Sequence, residues 1–183
     1  MRTPSAFGLT IALFSLIMTG CTTTAPVSES DKAQLHDEVE TALSGFTRRD
    51  PSLQDRIDNA YGYAVFPSIG KGGAILGGAF GRGEVFEQGD RVGYVTLTQG
   101  TIGAQLGGQT FSELILFKNK QRLDELKAEN FSFSAEVSAV AATAGAAKKA
   151  KYNNGVLVFV KSKGGLMAEA SVGGQKFDFV PAQ

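Results

Sequence analysis

Seven glycines crowd into the 21 residues FPSIGKGGAILGGAFGRGEVF, positions 66–86, with Lys71 and Arg82 as the isolated cations among them. A phosphate-binding loop of the G-x-x-x-x-G-K-[ST] type would need glycine five residues before Gly70 and a hydroxyl after Lys71. Val65 and Gly72 stand there instead. A dinucleotide fingerprint starting at Gly70 and Gly72 meets Ile75 where its third glycine belongs. Gly73, Gly77 and Gly81 have the spacing of a glycine zipper on one helix face. The uncharged run between Lys71 and Arg82 is only ten residues, about half of what a span requires. An outer-membrane barrel is disfavoured because several later strands lack a continuous apolar face. The remaining reading is a glycine-rich sheet, in which small residues allow sharp coiling and close backbone approach.

The flanking sequence supports a sheet with helical covers. Residues 31–46 carry Leu35, Val39, Leu43 and Phe46 at helical spacing behind an acidic first turn. Asp50-Pro51 opens a second short helix, with Leu53 and Ile57 on one face. From Tyr61 the period changes to two, and segments 61–67, 74–81, 83–88, 91–99, 101–109 and 112–118 read as strands. Gly89-Asp90 is the expected tight turn between two of them. Residues 119–130 form a helical interlude, with Leu123 and Leu126 inward and Arg122 placed to pair with Glu125 or Glu129. Strands resume over 131–140, 155–162, 165–172 and 175–180, with hairpin turns at 153–155 and 163–165 and a partly helical connection over 141–154. The echoes GAILGG/GAQLGG and LGGQTF/VGGQKF are reuse of one strand type, since their flanks disagree and no fixed period emerges. The expected class is α+β: a strongly curled, glycine-rich antiparallel sheet, barrel- or sandwich-like, covered by a few amphipathic helices.

The first residues read as an address. In MRTPSAFGLTIALFSLIMTGC a basic start precedes an apolar run from 7 to 18, too short for a comfortable span, and then small residues. Cys21 is the single cysteine, so no internal disulfide forms. Its place after Met18-Thr19-Gly20 resembles the lipobox of bacterial lipoproteins, which implies lipidation of Cys21 as the mature N-terminus. Thr22 in the next position implies sorting to the outer membrane, with the domain facing the periplasm. Each buried acyl methylene contributes about 0.8 kcal/mol, so several chains on one cysteine anchor firmly. The expected division is a signal peptide over 1–20, a lipidated cysteine and polar tether over 21–29, and one domain over 30–183.

Catalytic chemistry finds few candidates. His36 is the only histidine, set among Asp37, Glu38 and Glu40, and reads as a solvated helix residue. No second histidine and no second thiol exist to complete a zinc site or a Cys/His pair. Asp124, Glu125 and Glu129 share their helix with Lys120, Arg122 and Lys127, which makes a salt-bridged face more natural than paired catalytic carboxylates. The expectation is a protein that is not an enzyme and takes no cofactor or metal. Formal charge is balanced, with 18 basic and 18 acidic residues, so no global field draws the chain to nucleic acid. The balance is uneven along the chain: Lys148, Lys149, Lys151, Lys161 and Lys163 follow one another without an intervening acid. Together with Lys71 and Arg82 they are the candidate contacts for anionic lipid headgroups.

Three segments in order, YGYAVFPSIGKGGAILGGAFGRGEVF, GYVTLTQGTIGAQLGGQTFSELILFKN and NGVLVFVKSKGGLMAEASVGGQKF, resemble the SYLF domain. The resemblance runs from about residue 35 to 180. It implies a non-catalytic module that binds phosphoinositide-type headgroups, and for bacterial members a secreted lipoprotein. Tyr94 stands where many relatives have Trp, and a polar tether replaces the amphipathic lipid-binding helix of eukaryotic relatives. Actin binding, known for some eukaryotic relatives, is not expected in a bacterial envelope. The alternative function is a structural envelope protein that docks another protein on its sheet.

Overall fold

The computed structural model describes residues 26, 28–73, 76–102, 109–128, 131–132, 139–164 and 174–182. The first helix, α1 (Glu29–Arg49), is longer than its apolar spacing requires. The Ser28 side chain accepts the Asp31 N–H at 3.1 Å, which moves the N-terminus two residues ahead of the expected start. Acids at Glu29 and Asp31 and bases at Arg48 and Arg49 complement the helix dipole at opposite ends. Leu35, Val39, Ala42 and Phe46 form its buried stripe. A second helix, α2 (Leu53–Asp58), follows at once.

Eight strands follow: β1 (Gly62–Gly73), β2 (Leu76–Glu87), β3 (Asp90–Ile102), β4 (Gln109–Phe117), β5 (Phe131–Ser132), β6 (Ala139–Ala141), β7 (Val156–Gly164) and β8 (Gln175–Pro181). Helices α3 (Lys120–Lys127) and α4 (Ala146–Lys149) interrupt them. They form one sheet in the order β5-β8-β3-β2-β1-β4-β7-β6. The α+β class is therefore as expected, but the barrel- or sandwich-like closure is not. A single open sheet ends on β5 and β6, and no pairing joins these edges among the described residues. Nor is it purely antiparallel, because β6 runs parallel to β7.

Glycine does not cut the strands where sequence punctuation suggested. Residues 76–87 form one continuous strand across Gly81 and Gly83, rather than two. At Gly83 the reason is close approach: an added Cβ would sit 2.3 Å from the Val65 carbonyl oxygen on the neighbouring strand. The β2–β3 turn falls one residue earlier than expected, at Gln88 (φ 52°) and Gly89 (φ 95°). Two successive left-handed residues define a type I′ turn, whose twist suits a hairpin. The expected strands at 101–109 and 165–172 lie largely or wholly outside the described residues.

Both faces of the sheet are covered. On one, Val65, Phe86, Tyr94, Leu114, Leu116, Leu157 and Phe159 meet α1, α2 and α4. On the other, Ala64, Phe66, Val95, Leu97, Phe111, Ile115, Phe117, Val158 and Phe177 pack together with Leu123 and Leu126 of α3. Between Val65 and Ser68, β1 carries one residue more than β2, and the same offset recurs against β4. This bulge centres on Pro67, which has no N–H to give the ladder. Its carbonyl accepts the buried Ser112 hydroxyl at 2.9 Å. Gly83→Ala is expected to destabilise by roughly 2 kcal/mol through overpacking. Gly100→Ala, where the new methyl meets nothing within 4 Å, is expected to stay within about 0.5 kcal/mol of the parent. Urea melts of the two variants check the contrast.

Candidate functional site

The side chains named from sequence do not gather in one place. Cys21 lies outside the described residues. Lys161 and Lys163 are on β7, and strand alternation sets them on the helical side, with Leu157 and Phe159. There the Lys161 ammonium lies 5.1 Å from the centre of the Phe46 ring. Its Nζ donates to the Ala42 carbonyl at 3.4 Å. The stem crosses α1 at Gly45, where an added Cβ would fall 2.1 Å from Nζ. Burial, followed by the positive charges of Lys163, Arg48 and Arg49, pulls the Lys161 amine below its ordinary pKa.

Arg48 and Arg49 were not singled out from sequence. Their signal was present as the basic last turn of α1, which reads equally well as dipole compensation. Among the described residues, none of Arg48, Arg49, Lys161 and Lys163 forms an ion pair. An adjoining groove of about 260 Å³ runs between α1 and β7, lined by Thr41, Ala42, Ser112, Lys161 and Lys163, with Asp37 and Glu38 towards the helix N-terminus. The arrangement suits an anion approaching the C-terminal half of α1.

Lys148, Lys149 and Lys151 are exposed on and just after α4, on the same helical side of the sheet. Asp50, fully buried at the end of α1, holds this segment. Its carboxylate accepts the Gly145 N–H at 3.1 Å, the Ala147 N–H at 2.7 Å, the Ser52 N–H at 3.1 Å and the Ser52 hydroxyl at 2.6 Å. Burial opposes its charge, but these four bonds outweigh it and hold the carboxyl below its ordinary pKa. From α2, Arg56 donates to the carbonyls of Ala147, Lys148 and Ala150, closing the other end of α4.

Lys71 and Arg82 do not join forces. Arg82 is exposed on the α1 side, beside Asp31, Gln34 and Glu38. Lys71 pairs in register with Ala79, which belongs to the opposite core. The bulge at Pro67 turns the second half of β1 over and sends Lys71 to that side.

His36 is not merely solvated. Its Nδ1 lies 2.9 Å from Glu84 Oε2, and Arg91 Nη1 lies 2.8 Å from Glu84 Oε1. The Glu84 side chain is fully buried beneath α1, with the His36 ring against one of its oxygens and the Arg91 guanidinium against the other. The surface of α3 is salt-bridged as expected, through Lys120–Asp124 at 2.7 Å and Arg122–Glu125 at 2.6 Å. Among the described residues no cluster of metal-ligating side chains occurs, and no helix is long and apolar enough to cross a membrane.

Two comparisons with known proteins bear on this arrangement. The family model described as Ysc84, Las17-binding protein actin regulator, matches residues 98–179. The chain is also 32% identical over 140 residues to beta cell expansion factor A of Aeromonas veronii. The chain belongs to the SYLF family. The aligned part is 76% of this chain and 53% of the Aeromonas protein, so it spans about half the relative's length. Within this SYLF domain, the family match contains all five lysines of β7 and the α4 segment, whereas Arg48, Arg49, Lys71 and Arg82 precede it.

The staple of α4 generates a prediction. Asp50→Asn is expected to destabilise by about 2 kcal/mol at neutral pH, because backbone donors lose their charged acceptor. A carboxyl with a depressed folded pKa stabilises above its unfolded value of 3.8. That stabilisation is lost as pH falls from there through the lower folded value. Thermal melts from pH 6 to pH 2 are expected to show a steeper acid loss in the parent than in Asp50→Asn.

Proposed function

We propose that this SYLF domain is a non-catalytic module that binds anionic lipid headgroups through the basic surface on its helical side. The observation that carries the reading is the cluster of Lys161 with Lys163, Arg48 and Arg49, whose positive charges act on its amine and none of which is in an ion pair among the described residues. Lys161 and Lys163 also line the groove beside α1, with Asp37 and Glu38 towards its N-terminal end. The α4 lysines extend the positive charge on the same side of the sheet. Each near-surface cation contributes on the order of 1 kcal/mol towards an anionic membrane. Lipidation at Cys21 would hold the domain at the outer membrane of the envelope and raise its local concentration there. We also read the sheet as coiled towards its α3 side. Support comes from the Phe66 and Phe177 rings, whose centres are 5.9 Å apart although β1 and β8 stand three strand positions apart.

A second reading has support of its own. The description of the matching family names a protein-binding role, and the short strand β6 leaves a sheet edge for a protein partner.

Co-sedimentation of the Cys21→Ser chain with vesicles tests the first reading. Binding to phosphatidylglycerol-containing vesicles is expected to exceed binding to neutral phosphatidylcholine and to weaken with salt. The double variant Lys161→Glu/Lys163→Glu is expected to lose at least about tenfold in affinity. Lys71→Glu, on the other face, is expected to leave binding unchanged. Equal binding to neutral vesicles, or full binding by the double variant, overturns lipid recognition at this site and favours the protein-docking alternative.

A further inference from the structure

On the face of the sheet that α3 covers, three buried polar side chains interrupt an otherwise apolar core: Glu113, Gln175 and, level with Gln175 on β3, Gln99. Glu113 of β4 stands between Phe111 and Ile115, and Gln175 of β8 lies two residues from Phe177; both are fully buried. Three strands, β3, β2 and β1, separate β4 from β8 in the sheet. At the usual strand spacing, about 19 Å would lie between them in a flat layer. Yet Gln175 Nε2 donates to Glu113 Oε2 at 3.0 Å. The contact therefore reaches across the concave side and ties one flank of the sheet to the other.

The remaining oxygens decide its chemistry. Glu113 Oε1 and Gln175 Oε1 are both buried without a hydrogen-bond partner. A carboxylate has no hydrogen to offer, so an ionised Glu113 leaves two acceptors with nothing to accept. Such vacancies are costly in an apolar core. A carboxylic acid removes both at once. Its O–H donates from Oε1 to Gln175 Oε1 while Gln175 Nε2 donates to Oε2, closing a ring of two hydrogen bonds.

We infer that Glu113 is held as the neutral acid in the folded protein and forms a two-bond acid–amide clasp with Gln175, a proton-dependent latch between β4 and β8. Burial, opposed only by the Gln175 bond, pushes the Glu113 carboxyl up to about 8. The charges around it face elsewhere. Arg82 and Glu84 of β2, and Lys161 and Lys163 of β7, alternate to the helical side. Lys176 and Asp178 of β8 alternate away from Gln175 and Phe177 and are exposed. On α3, Lys120, Arg122 and Lys127 are held by Asp124, Glu125 and Glu87, the last from β2. Lys71 of β1 shares the face of Glu113 but sits level with Gln109, four residues along β4.

The sign of the pH dependence follows. Between the unfolded value of 4.5 and the folded value of about 8, the native state holds one proton more than the unfolded chain. Stability from this group is fully present below 4.5 and is lost as pH rises towards 8. The folding equilibrium constant of the full chain is expected to lose up to about tenfold per pH unit across that window. Glu113→Gln supplies the same donor and acceptor without a titrating proton, and is expected to flatten this slope and to be the more stable protein at pH 8. Parallel slopes for parent and Glu113→Gln would overturn the inference. Infrared spectroscopy of the unmutated chain with isotope-labelled glutamate needs no variant. A protonated-carboxyl stretch persisting at pH 6 and disappearing above pH 8 is expected, and its absence at pH 6 would overturn the inference as well.

Discussion

Everything in this fold depends on β1 being buried on both sides. Ala64, Val65 and Phe66 are consecutive, and all three are sealed from water. Val65 enters the core beneath α1, while Ala64 and Phe66 enter the core on the α3 side. β2 and β4 flank this strand, and the rest of the sheet extends outward from the three. Helices α1 and α2 then have to precede the sheet and close one face, and α3 has to return to the other. The basic groove, the α4 staple and the Glu113 clasp all occupy positions set by these two layers.

Much of this was legible in the residues. The helix of 31–46, the strand run from residue 61, the inward Leu123 and Leu126 and the Arg122–Glu125 pair follow from local periodicity and spacing, which act over one or two turns. What was not legible is long-range. Nothing near His36 announces that Glu84, 48 residues away, lies beneath it. Asp50 reads as the opening of a second short helix, although two of its four bonds reach Gly145 and Ala147. Glu113 looks like a polar interruption in SELILF until β8 arrives from the far side of the sheet. Sheet closure failed as an expectation for a related reason: glycine content reports local permissiveness, whereas closure depends on which edges meet.

The candidate site shows the same division. The run of lysines from 148 to 163 was conspicuous because it lacks acids, yet a linear run samples two separate supports, the α4 segment and β7. Besides Lys163, the cations near Lys161 come from α1, more than a hundred residues earlier. Family membership adds a class of protein to this picture, and the relative's name concerns a protein about twice the span that is shared. The chemistry proposed here rests on the groove itself.

The bulge at Pro67 has a consequence for how such a chain can change. Along a strand, odd and even positions belong to different sides of the molecule, and one extra residue exchanges their meaning from that point onward. Lys71 and Val65 are both odd, yet they serve opposite cores. No substitution at position 71 can bring a charge there back beside Arg82; only altering the count of residues can. In this hairpin, insertion and deletion, rather than replacement, decide which surface a side chain serves.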